Sequence, residues 1–174
     1  MVRQRHQLYW PGCRQLGATT VAMTVTWYTL LKYLHVLLAI TAVGSNITYG
    51  VWKTLGAREP AHAPFAVKGI AFIDRRVANP AYGLLLITGL VLLAAGQWGF
   101  RGWVVAGLIL FVLLIVVAVG FYSRVVRQQI QVMDAEGITS ANYKRLDGQA
   151  TTYGIVSLVI ALLIVFVMVV KPFR

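Results

Sequence analysis

Four separate stretches of this chain are long and apolar enough to cross a lipid bilayer, and no other feature constrains its fold as much. A crossing helix needs about 20 residues. The stretches run from about Trp27 to Trp52, Ala78 to Trp98, Trp103 to Tyr122 and Tyr153 to Val170. Tryptophan or tyrosine stands at most of their ends, as expected at the headgroup level. No segment alternates like a barrel strand, and a backbone in hydrocarbon must satisfy its own hydrogen bonds, so the spans are helices. The expected fold is all-α: a polytopic membrane protein built as an antiparallel bundle of four transmembrane helices.

Composition agrees. The chain is 59% hydrophobic and 12% charged, about half the charge of a soluble domain, which excludes a cytosolic enzyme and a disordered chain. With one cysteine, Cys13, an intramolecular disulfide is impossible. The absence of a C-x-x-C motif argues against cysteine-ligated zinc, an iron–sulfur cluster and c-type haem attachment.

Sixteen Lys and Arg against five Asp and Glu give a net charge of +11. The bases lie between the apolar blocks, so they report on lipid and topology rather than on nucleic acid. One side of the membrane receives Lys53, Arg58, Lys68, Arg75, Arg76, Arg124, Arg127, Lys144 and Arg145; the other receives Arg3, Arg5, Arg14, Arg101, Lys171 and Arg174. The bias predicts that both termini lie outside the cytoplasm. Residues 1–22 are basic and aromatic without a signal-peptide core; they read as an extension ahead of a natural start at Met23, with residues 23–174 as one domain.

The connectors carry their own signals. Gln97 to Gly102 reads as a tight turn that makes spans two and three an antiparallel hairpin. The second half of Lys53 to Val77 reads as an interfacial helix, with Asp74, Arg75 and Arg76 as a salt-bridged interfacial group first and a ligand anchor second. Asn79-Pro80 reads as a helix start capped by Asn79. The stretch after Ser123 extends span three as an amphipathic helix that Gly137 breaks, and Ser140 caps the run into span four. Gly89, Gly107 and Gly120 suit close helix packing; Ser157 is the central polar residue of span four. His6 and His62 are expected to face solvent.

Polar side chains inside a span are costly and are functional candidates by default. They gather on the first span. At 100° per residue, Tyr28, Lys32, His35, Ala39, Ala42, Asn46, Tyr49 and Lys53 form one stripe, opposite an apolar face with Leu30, Leu37 and Val51. His35 lies about 12 Å down the helix from Trp27. Its imidazole suits a structural hydrogen bond, a haem or porphyrin contact, or another metal. Asn46 suits an interhelical hydrogen bond or a ligand contact. Lys32 suits snorkelling to the interface or pairing with a propionate. On this reading no acidic residue lies in a span.

L-L-K-Y-L-H-V-L-L-A at Leu30–Ala39, A-N-P-A-Y-G-L-L-L-I-T-G-L at Ala78–Leu90 and V-M-V-V-K-P at Val167–Pro172 resemble a family of predicted integral membrane proteins called domain of unknown function 2269, from about Met23 onward. That family is bacterial and four-spanning. It is in turn similar to the four-helix membrane protoporphyrinogen oxidase and the copper-resistance D family. The oxidase's L-H-V histidine, linked to haem, falls on His35. Its third-span lysine falls on Ala106 or Gly107, so the likeness implies a porphyrin contact rather than oxidase activity.

Three readings stay open. The chain is a non-catalytic accessory or assembly subunit of a membrane complex. Alternatively, it is a redox protein holding haem b or porphyrin through His35, with Lys32, Asn46 and Tyr49 alongside and a homodimer supplying a second histidine. The third reading is a permease component for a small solute or metal, which lacks acidic path residues. Partners are the bilayer and a second membrane chain; nucleic acid is excluded.

Overall fold

The computed structural model describes residues 26–96 and 101–172. The 1–22 extension, His6, Cys13, Trp98 and the turn through residues 97–100 lie outside them. Among the described residues the structure is entirely helical, with four rods long and apolar enough to cross a membrane: Trp27–Arg58, Pro60–Ala95, Gly102–Glu136 and Ala141–Val170.

The first rod is one helix, α1 (Trp27–Arg58), longer than the span expected from apolar residues alone. A 3₁₀ turn at Pro60–His62 leads into α2 (Ala63–Ile73). A π-helical turn at Asp74–Ala78 joins α2 to α3 (Asn79–Ala95) without a break. The second span therefore does not start at Asn79-Pro80, and Asn79 caps nothing. Pro80 lacks the amide that would continue the ladder, and the wider π turn ahead of it takes up that irregularity.

The third rod comprises α4 (Gly102–Ile115), a π-helical stretch at Val116–Tyr122 and α5 (Ser123–Glu136). The amphipathic extension after Ser123 forms as expected. It ends at Gly137, whose φ of 81° is costly for residues with a Cβ. The fourth rod, α6 (Ala141–Val170), is capped by Ser140, whose Oγ accepts from the Tyr143 amide at 3.1 Å. That bond satisfies one of the free N–H groups of a helix start.

α1 packs on α2, α3 and α6, α4 and α5 pack on α6, and α2 packs on α5. The packed hairpin expected between spans two and three is absent: α3 lies on α1 and α4 lies on α6, with at most marginal contact between α3 and α4. The ends at 59–62 and 137–140 share one side of the bundle, here called the basic side. The largest buried cluster, including Tyr49, Ile70, Tyr82, Tyr122 and Ala150, lies toward it. Leu30, Leu37 and Val51 of α1 point outward, as the wheel predicts.

Candidate functional site

The stripe on α1 faces the bundle, and its members meet different partners. His35 Nδ1 lies 2.8 Å from Thr88 Oγ1 on α3. Thr88 has one proton to donate, and its own helix takes it, at the Leu84 carbonyl (2.8 Å) or the Leu85 carbonyl (3.2 Å). The hydroxyl thus offers His35 a lone pair, so Nδ1 carries the imidazole proton and Nε2 is left as a free base. Gly89 sits against the same ring: a Cβ there would approach His35 Cε1 to 3.1 Å. Thr88-Gly89, which read as packing, is what orients the histidine.

Asn46 Nδ2 donates to the Tyr82 hydroxyl at 2.9 Å. Tyr49 is buried and stacks on Tyr122, with ring centroids 5.6 Å apart. Lys53 reaches Asp147 at 2.9 Å. Lys32 is exposed, with its ammonium 5.1 Å from the Tyr28 ring centroid. His35, Asn46 and Tyr49 therefore share a face but not a site, because about 16 Å of helix separates His35 from Asn46. His62 is exposed and pairs with Glu59.

The residue that sequence reasoning missed is Asp74. It is not part of a salt-bridged interfacial group. It is 6% exposed, accepts from Ser123 Oγ at 2.7 Å and from Asn79 Nδ2 at 3.4 Å, and makes no ion pair among the described residues. The second rod thus carries an acid in the bundle after all. At 100° per residue Asp74 would sit about 80° from the buried Tyr82. Each residue of a π turn rotates by less, which closes most of that angle and swings the carboxylate inward. Beside it lies the buried Tyr49 hydroxyl, directed at the carboxylate without closing to a short hydrogen bond.

The glycines divide. Gly107 packs against the Met168 methyl, the movable end of a flexible side chain, whereas a Cβ on Gly120 would meet nothing, contrary to expectation. The Ser157 hydroxyl is buried without a partner. A groove of about 400 Å³ between α1 and α6, lined by Asn46, Gly50, Thr54, Arg58 and Leu158 among others, lies away from His35. No group of three His, Cys, Asp or Glu able to hold a metal occurs among the described residues.

Four lipid-length helices with histidine and carboxylate held inside them define an integral membrane protein of the four-helix class. A family model described as predicted integral membrane protein, domain of unknown function 2269, matches residues 29–172. The chain belongs to that family. No curated protein and no solved structure matches it.

Proposed function

We propose that this chain is a non-catalytic membrane subunit that holds a haem or porphyrin at His35. The observation that carries this reading is the contact of Thr88 Oγ1 with His35 Nδ1 at 2.8 Å, beside the Thr88 bond to the Leu84 carbonyl: it fixes the ring and leaves Nε2 turned away from that support. Histidine ligands are commonly oriented in this way, by a hydrogen bond to the other nitrogen. Gly89, with no side chain, lets the ring pack directly on α3. α3 and α4 do not close on each other in this half of the bundle. Exposed Lys32, one turn from His35, is placed to meet a propionate at the headgroup level.

Bound haem would supply one-electron chemistry; the protein's part is to bind, orient and shield. The likeness to protoporphyrinogen oxidase and copper-resistance D proteins supports the histidine. The absence of a lysine near Gly107, where Met168 fills the space, supports a holding rather than an oxidising role. Asn46 and Tyr49 are engaged with Tyr82 and Tyr122 and fall outside the proposed contact. A second copy of the chain would supply a second histidine, in the bacterial inner membrane with the basic side toward the cytoplasm.

The test is an optical spectrum of detergent-purified protein from haem-replete cells. A Soret band is expected, lost in His35→Ala and shifted in Thr88→Val. A colourless protein whose spectrum does not respond to added haem, with His35→Ala melting like the parent, sinks the reading.

A further inference from the structure

We propose that Asp74, Ser123, Asn79 and Tyr49 form a binding site for one small monovalent hard cation of the sodium class. The site is independent of His35 and stands on the positions of these four side chains. Asp74 comes from one π turn, and Ser123 directly follows the other. Such insertions recur at functional sites because they displace a side chain from the helical phase.

A buried carboxylate stands here among neutral side chains, with no ion pair among the described residues. A carboxylate taken out of water needs a counter-charge or a full set of hydrogen bonds. Asp74 has one short bond, from Ser123. The Ser123 hydroxyl has a single proton and also lies 3.1 Å from the Ala118 carbonyl. The hydroxyl of Tyr49, a residue 5% exposed, is directed at the carboxylate and serves it as a further donor without closing to a short hydrogen bond. Asn79 Oδ1 is buried and unpartnered. The Tyr49 hydroxyl keeps its lone pairs as it donates, and Asn79 Oδ1 is a pure acceptor, so the group offers oxygen, the ligand that hard cations select.

Geometry and charge narrow the ion. The Asn79 amide lies 3.4 Å from Asp74 Oδ2 and 3.5 Å from Ser123 Oγ, long for hydrogen bonds. Two oxygens bound about 2.4 Å from one ion at a right angle lie about 3.4 Å apart. A half-turn of the amide exchanges its nitrogen for the orphaned Oδ1. One carboxylate balances one positive charge, which favours a monovalent over a divalent ion. The protein's own cations are placed elsewhere: Lys53 pairs with Asp147, Arg75, Arg76 and Arg124 are exposed, and Arg127 gives its Nε to the Ser123 carbonyl at 3.1 Å. Arg127 is near enough to repel the ion, so its charge weakens the site.

The experiment is thermal unfolding of the full chain in detergent, in sodium chloride against potassium and choline chloride at equal ionic strength. A ligand that binds only the folded state raises the melting temperature with its concentration. Sodium is expected to stabilise more than potassium, and choline not at all. Asp74→Asn abolishes the sodium response, Tyr49→Phe shifts it to higher concentration, and Arg127→Gln shifts it to lower concentration. Equal melting in all three salts overturns the proposal, as does a sodium response that survives in Asp74→Asn. Should Asp74→Asn fail to fold, the opposed shifts of Tyr49→Phe and Arg127→Gln still decide: no shift in either rejects the site.

Discussion

The two halves of the bundle are built differently. Toward the basic side the helices bury large and polar groups together: Tyr49 on Tyr122, Asn46 on Tyr82, Asp74 on Ser123, and Gln129 on Asp147 at 2.8 Å. Toward the other side, Leu30, Tyr33, Leu34 and Ile40 of α1 and Ile87 and Leu90 of α3 are exposed, and α3 stands apart from α4. The first half adds polar contacts to its packing, whereas the second is held mainly by apolar ones such as Gly107 against Met168, and apolar side chains face outward along both. The proposed ion site belongs to the half that is closed, and the proposed macrocycle site to the half that is open.

The contrast can be broken by mutation. Tyr122→Ala empties a buried position and removes the stack on Tyr49; it is expected to cost about 3–5 kcal/mol, read by reversible unfolding in detergent. Ile40→Ala, at 63% exposure, is expected to cost less than about 0.5 kcal/mol. Similar losses from both would show that the halves are equally packed. Thr88→Val is the intermediate case. It removes the acceptor of one interhelical hydrogen bond, worth about 0.6–2 kcal/mol in a membrane, and frees the His35 ring. The smallest effect is reserved for Gly83→Ala, where a new Cβ meets nothing within 4 Å; a change beyond about 0.5 kcal/mol would mean that this face is covered.

The features legible in the sequence were those written in one period. Four apolar runs gave four rods, the 100° wheel placed the α1 stripe inward, and Ser140 and Gly137 marked a cap and a break through local chemistry. Asp74 was not legible because it stands in D-R-R, which looks like a solvated charge group, and because a π turn shifts the phase on which a wheel depends. Asn79 followed the same error: it resembles a cap only if a helix begins there. Thr88 was visible, but its role depends on which α1 residue stands opposite, and that pairing is a tertiary fact. The hairpin between spans two and three failed for a related reason, since a short connector sets the order of helices but not which faces meet.

The rods span 30 to 36 residues, or about 45–54 Å, against roughly 30 Å of hydrocarbon. The surplus falls on the basic side, where α2, α5 and the start of α6 continue as folded helix. The far rim is fixed instead by Trp103, with the Lys171 ammonium 5.2 Å from its ring centroid, and by the helix ends at Ala95 and Val170. A thicker or thinner bilayer therefore meets a sharp boundary on one face and a gradual one on the other. Hydrophobic mismatch is expected to show at the basic collar before it shows at the far rim.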